Sequence, residues 1–295
     1  DESQYAYSAA KEAEAKLHCI DIGPDDFLNN IQDIVYHLDF PVAGPGSFPQ
    51  YMVSKLASQQ VKVVLGGQGG DEIFGGYARY MIAYYEQCMK AAMDGYSNNG
   101  KYVVTLESII PNLGLLREYK PLMKQFWSEG LFDPMDERYF RLINRSTDMQ
   151  DEIDWNAIDS SKVFADFSKI FNNPSNVKKE AYFDKMTHFD FKCLLPALLQ
   201  VEDRMSMAHG LESRVPLLDH PLVEFAATVP ANIKFNGGNM KQLLKQVFSP
   251  EIPKEILNRR DKMGFPVPLK EWCDHELKEF TNDTLSSMAS KNRPY

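Results

Sequence analysis

A chain of 295 residues, 44% hydrophobic and 25% charged, is long enough for one large domain or two smaller ones around a sizeable core. Its formal charge of -9 argues against a sequence-independent grip on nucleic acid or anionic lipid, and no apolar stretch has the length of a membrane span. Cys19, Cys88, Cys193 and Cys273 are scattered, without a CxxC pair or a His-rich partner segment. That disfavours a zinc site or a disulfide framework and makes reduced thiols in a cytoplasmic protein the expectation. No signal peptide opens the chain, and it starts at Asp1 without a methionine, which fits an excised piece of something longer.

The first eighty residues alternate as an α/β unit does. A helix is predicted over about 2–16, then a short apolar run from Leu17 to Ile22. Pro24-Asp25-Asp26 starts a second helix whose apolar positions Phe27, Ile31, Ile34, Val35 and Leu38 share one face. "FPVAGPGSFP", 40–49, is too rich in breakers for regular structure, and a third helix carries Tyr51 to Ser58. "VKVVL", 61–65, is a continuous β-branched run of the kind buried in a parallel sheet. This order is that of a doubly wound sheet, whose ligands lie at the carboxyl ends of its strands. Beyond Tyr80 helical patterns dominate, in "IAYYEQCMKAAM", "PLMKQFW", "DERYFRLINR" and the long stretch from Ala181 to Leu211. Polar linkers fall around 94–101 and 172–176, and a polar tail from about 281 is expected to fray. The division predicted is a partial nucleotide-binding α/β region, 1–80, and a helical remainder, 81–295.

"GGQGGDEIFGG", 66–76, places six glycines in eleven positions. Gly66, Gly67, Gly69 and Gly70 permit positive φ and a close approach of backbone to ligand. The helix predicted from near Asp71 offers unpaired N–H groups and a positive dipole end, which suit an anion. Asp71 and Glu72 would repel that anion unless Mg²⁺ bridged them, so the turn reads as a site for a magnesium-bound nucleotide or pyrophosphate, with Asp71 the better ligand. A plain strand-to-helix turn with Asp71 as N-cap fits the same residues. The pattern is neither GxGxxG nor a Walker A loop.

Two further stretches carry charge. In "LLQVEDRMSMAHGLESRVPLLDH", the residues Glu202, Asp203, Arg204, Glu212, Arg214 and Asp219 are interleaved with apolar positions, and most of them, Asp203, Arg204, Glu212 and Arg214 included, read as structural ion pairs, because embedded charges are costly unless paired. An arginine there would also suit a phosphate. "LNRRDKMGFPVPL", 257–269, is a compact basic loop, read either as a solvated patch or as a loop aiming Lys262 at departing pyrophosphate.

Together and in this order, "VVLGGQGGDEIFGGYARY", "LLQVEDRMSMAHGLESRVPLLDHPLVEFA" and "RRDKMGFPVP" resemble the synthetase domain of glutamine-dependent asparagine synthetases, over essentially the whole chain. The resemblance implies an adenine nucleotide α-hydrolase-like α/β fold, a doubly wound parallel sheet incomplete at its start, followed by a mostly helical region. It implies ATP and Mg²⁺ as cofactors, adenylation of a carboxylate (aspartate), release of pyrophosphate and attack by ammonia on the acyl-adenylate. By residue it assigns Mg-pyrophosphate to Asp71, ATP contact to Gly66, Gly67, Gly69 and Gly70, and catalytic roles to Lys262, Gln68 and Tyr77. Its partners would be the carboxylate substrate, ammonia and the glutaminase domain of the parent chain, with a homodimer left open.

The chain departs from this pattern at two positions. Gly66 stands where the family usually has Ser, and Gln68 where many members have Glu; a glutamine can orient a nucleophile but cannot take its proton. The family's first phosphate loop, SGGxDS, and its glutaminase domain are not in this sequence, so the chain alone is expected to be inactive. Two other readings stay open, a related amide-forming ligase acting on another carboxylate and a non-catalytic binding module.

Overall fold

The computed structural model describes residues 2–40, 44–93, 120–149, 154–177, 182–234, 236, 239–259 and 267–290. In chain order its main elements are α1 (Ser3–Glu12), α2 (Pro24–Leu38), α3 (Ser47–Ser58), β1 (Val63–Leu65), α4 (Gly70–Phe74) and α5 (Ala78–Met93). Then come α6 (Lys120–Trp127), α7 (Met135–Ile143), α8 (Ser160–Phe171), α9 (Tyr182–Cys193), α10 (Leu195–Met207) and β2 (Glu212–Arg214). The last are α11 (His220–Thr228), α12 (Ala231–Lys234), α13 (Gln242–Val247), α14 (Lys254–Leu257), α15 (Leu269–Asp274) and α16 (Lys278–Ser290). The chain divides into two compact units, one of 1–66, 197–216 and 251–295, the other of 67–196 and 217–250.

The first unit is organised by α2 and α3. Pro24 occupies the first turn of α2, where its missing N–H costs nothing, and the Asp26 carboxylate accepts from the Gly23 amide at 3.0 Å. Phe27, Ile34 and Leu38 then bury one face against Phe48, Tyr51, Met52, Met205 and Trp272. Val35, expected on that face, is exposed; Asn30 takes a buried place instead, donating to the Asp26 carbonyl at 2.7 Å. The helix α3 reaches back to Ser47, into the segment expected to be irregular, and puts Phe48 edge-on to Phe27 at 5.4 Å.

Three expectations for this unit are corrected. The first helix stops at Glu12 because Glu14 turns into the left-handed region, and 17–22 form no regular element. The polar tail is helical to Ser290. The strand at 63–65 is parallel as expected, but its partner is Glu212–Arg214, in register Val63↔Glu212, Val64↔Ser213 and Leu65↔Arg214. It is not buried: Val63 is 40% and Leu65 72% exposed, where parallel strands are usually covered on both faces.

The second unit is helical, as its sequence pattern indicates. Tyr80, Met81, Ile82, Tyr84 and Cys88 of α5 meet Phe126, Tyr139, Phe167, Phe171, Phe183 and Met186 in an aromatic-rich core. Two charge clusters lie inside it. Glu86 takes both arms of the Arg138 guanidinium, at 2.8 and 2.7 Å, and the remaining donors of Arg138 reach the carbonyls of Phe126 and Glu129. Asp190 accepts from Tyr80, Tyr139 and Arg79. All four cysteines are free, and no helix among the described residues is long and apolar enough to cross a membrane.

The Glu86–Arg138 pair is fully satisfied, so removing one member leaves an uncompensated buried charge. Glu86→Ala is expected to lower unfolding free energy by about 3–5 kcal/mol, measured as a shifted urea midpoint, whereas Arg141→Ala, at an exposed pair with Glu129, should change it by less than about 1 kcal/mol.

Candidate functional site

The glycine turn lies where the first unit gives way to the second along the chain, and each side of it has its own surroundings. On the strand side, Gly66 ends β1, donating its amide to the Arg214 carbonyl at 2.7 Å. A Cβ at Gly66 would run into the carboxylate of Glu202, which is 6% exposed and accepts from the Ser213 hydroxyl at 2.6 Å. A side chain at position 66 and this placement of Glu202 therefore exclude each other. Gly67 is exposed, with nothing within 4 Å of where a Cβ would point.

On the helix side, Gly69 has φ +88° and Leu218 occupies the space a side chain would need, so glycine is required there twice over. Gly69 is also the N-cap of α4, which places Asp71 in the first turn of that helix and not at its cap. Gln68 is half-buried in the turn before Gly69. The Asp71 carboxylate forms an ion pair with Lys241 at 2.9 Å, and a Cβ at Gly76 would strike both the Asp71 carboxylate and the Lys241 stem. Next to it Glu72 is buried, accepting from the Tyr77 hydroxyl at 2.5 Å, while the Arg79 guanidinium lies 3.9 Å from the Tyr77 ring centre. Burial, then the bond to Glu72, pushes the Tyr77 hydroxyl far up, so it stays protonated and donates.

Lys241 is the site residue that sequence reasoning missed. It caps α13 with φ +55°, a conformation uncommon outside glycine and asparagine, and so places a cation at a helix N-terminus, where the macrodipole disfavours it. Lys262 lies outside the described residues. The charges expected to form structural pairs are at the surface: Arg204 meets Asp39 at 3.2 Å and Arg214 meets Glu212 at 2.8 Å, while Asp203 is exposed and joins neither pair. The segment that looked like a charged core strip presents its charges outward and buries Glu202, Met205 and Ser206.

Glu72 also lines a cavity of ≈ 460 Å³ in the second unit, with Asp184, His188, Lys234 and apolar walls such as Phe191. Lys234 stands 3.8 Å from Asp184; burial pushes the Asp184 carboxyl up and the Lys234 ammonium down. Burial, then the charge of Lys192, lowers the His188 pKa below the ordinary imidazole value and so favours its neutral ring.

Among the described residues no three His, Cys, Asp or Glu side chains converge as a metal cage. That does not count against Mg²⁺, which commonly takes one or two carboxylates, waters and phosphate oxygens. Asp71, partly exposed on a glycine-lined turn, fits such a role, with Lys241 supplying positive charge from the protein.

The asparagine synthase family model matches residues 1–295. The chain belongs to the asparagine synthase family. It is 30% identical over 271 residues to asparagine synthetase [glutamine-hydrolyzing] 1 of Bacillus subtilis, covering 90% of this chain and 40% of that protein. It is 29% identical over 290 residues to a putative asparagine synthetase [glutamine-hydrolyzing] of Mycobacterium tuberculosis H37Rv, covering 90% and 39%. The amidase chry2 of Gibberella zeae matches at 21% over 320 residues, covering 99% of this chain and 45% of its own. The chain thus spans less than half the length of these curated relatives. The small parallel sheet and the mainly helical body of the described residues are consistent with an α/β fold.

His188 makes the cavity pH-dependent. Because folding depresses its proton affinity, the stability contributed by the neutral ring is complete above pH 6.5 and is lost as pH falls through the lower folded value. His188→Gln should flatten that part of the Tm-versus-pH curve; an unchanged acid slope would refute the assignment.

Proposed function

We propose that this chain is the synthetase part of an enzyme that amidates a carboxylate with ATP, aspartate being the substrate and asparagine the product. ATP adenylates the carboxylate, pyrophosphate leaves, and ammonia attacks the acyl-adenylate. The observation that carries this reading is Asp71, held in the first turn of the helix that follows a glycine turn with positive φ, beside a lysine 2.9 Å away. Backbone amides, a helix start and an ammonium all favour oxyanions, and the carboxylate is the one group that needs a cation to share the site with them.

Adenylation makes the acyl group transferable because AMP is a better leaving group than hydroxide. The residues' proposed tasks follow from their chemistry. Gly66, Gly67, Gly69 and Gly70 let the backbone approach the phosphates. Asp71 would hold Mg²⁺, which when bound neutralises charge on the pyrophosphate. Lys262 would stabilise the same charge. Gln68 orients the nucleophile through its amide. Tyr77 keeps Glu72 hydrogen-bonded and so sets the start of α5 behind the turn. We assign the chain an adenine nucleotide α-hydrolase fold, with 1–80 as the partial nucleotide-binding region and 81–295 as its helical remainder. The exposed β1–β2 pair supports a sheet extended by further strands, and ammonia is supplied by a glutaminase domain elsewhere in a cytoplasmic parent.

In the full-length protein Asp71→Asn should lower pyrophosphate release from ATP and aspartate by roughly 100-fold or more, with an unchanged thermal transition. Turnover like that of the native enzyme would remove magnesium from Asp71. Lys262→Ala should reduce the adenylation rate by roughly 100-fold while KM for ATP shifts by less than about fivefold; a pure KM effect would make Lys262 a binding residue only.

A further inference from the structure

Four acidic side chains are buried among the described residues: Glu72, Glu86, Asp190 and Glu202. Glu86 and Asp190 have arginines, and Glu72 takes the Tyr77 hydroxyl in the helical unit. Glu202 alone lies beside the turn on the strand side. It sits on α10, fixed by the Ser213 hydroxyl of β2 at 2.6 Å, with its carboxylate where a side chain of Gly66 would be. No ion pair joins it to a cation among the described residues. Burying a carboxylate without a cation is costly, and one neutral hydroxyl offsets only part of that cost. Its place, against the residue that ends β1, is at the carboxyl end of a parallel strand, where sheets of this class receive ligands.

We propose that Glu202 receives the nitrogen nucleophile, holding ammonium against its carboxylate and taking the proton that turns it into ammonia. The inference rests on the ligase reading above. In the step itself a C–N bond forms to the acyl carbon, the bond from that carbon to the AMP oxygen breaks, and AMP leaves with the electron pair. The Glu202 carboxylate takes one proton from ammonium, giving the ammonia that attacks, and the second N–H proton goes to the departing AMP phosphate, leaving a neutral amide. Gln68 cannot do this, since a neutral amide has no useful basicity. Gly66 becomes part of the device, because any larger residue there would displace the carboxylate.

The test is the amide formed per pyrophosphate released in the full-length protein. Glu202→Gln keeps an acceptor for Ser213 but no base, and should lower that ratio roughly 100-fold with ammonium salts. Hydroxylamine, which is already unprotonated at neutral pH, should show a loss of less than about tenfold, and Glu202→Asp should recover part of the ammonium reaction. Gly66→Ala, pressing a methyl group on the carboxylate, should act in the same direction as Glu202→Gln. An unchanged ratio in Glu202→Gln overturns the proposal, and so does an equal loss with both nucleophiles, the mark of a packing role. If the unsubstituted protein releases no pyrophosphate at all, the ligase reading itself fails, and this inference with it.

Discussion

One carboxylate, Asp71, ties together the features on the helical side of the glycine turn. It needs Gly69 before it, because only a residue at ease with φ +88° and without a side chain can lead the chain past Leu218 into α4. It needs Gly76 after it, because a Cβ there would take its space. It pairs with Lys241, which caps a helix distant in sequence and itself holds an unfavoured backbone conformation. An ammonium and a carboxylate at 2.9 Å largely cancel each other, and on the function proposed above phosphates arriving with a divalent ion would use both charges, one for the oxygens and one for the metal.

The helical unit faces another problem, that of holding charge indoors. It solves it with planar groups that match. The guanidinium of Arg138 shares two contacts with Glu86 and spends its remaining donors on carbonyls, and Asp190 collects two phenols and an arginine. These networks fix the orientation of α5, α7 and α9 more specifically than the aromatic core alone would, since rings tolerate several packings and a fork does not. Burial pushes the Tyr80 and Tyr139 hydroxyls up, which keeps both phenols as donors across the physiological range.

Much of this was legible in the sequence where a local rule operates. The periodicity of α2, with Pro24 and Asp26 at its start, gives a helix at its observed position; the helical patterns from Ile82 onward give α5, α6, α7, α9 and α10. The glycine turn was legible because six glycines in eleven residues have few other uses. What was not legible is long-range. Glu212-Ser213-Arg214 carries no strand signal, and becomes a strand only because β1 offers its edge. Glu202, Asp203 and Arg204 read alike because their neighbours are apolar, yet the helix turns Asp203 and Arg204 outward and buries Glu202. Lys241 finds Asp71 through tertiary structure, which no window of sequence contains. The apolar run 17–22 shows the converse: hydrophobicity without a partner strand does not make an element.

The β1–β2 ladder has a practical consequence. Two parallel strands of three residues, with Val63 and Leu65 exposed, have no third strand beside them among the described residues, and an open ladder edge of this kind bonds readily to an extended peptide, another molecule of the same kind included. Handled in isolation at high concentration, a polypeptide with such an edge would be prone to cling to itself through that ladder, so its colloidal behaviour would hang on three residue pairs and two aliphatic side chains.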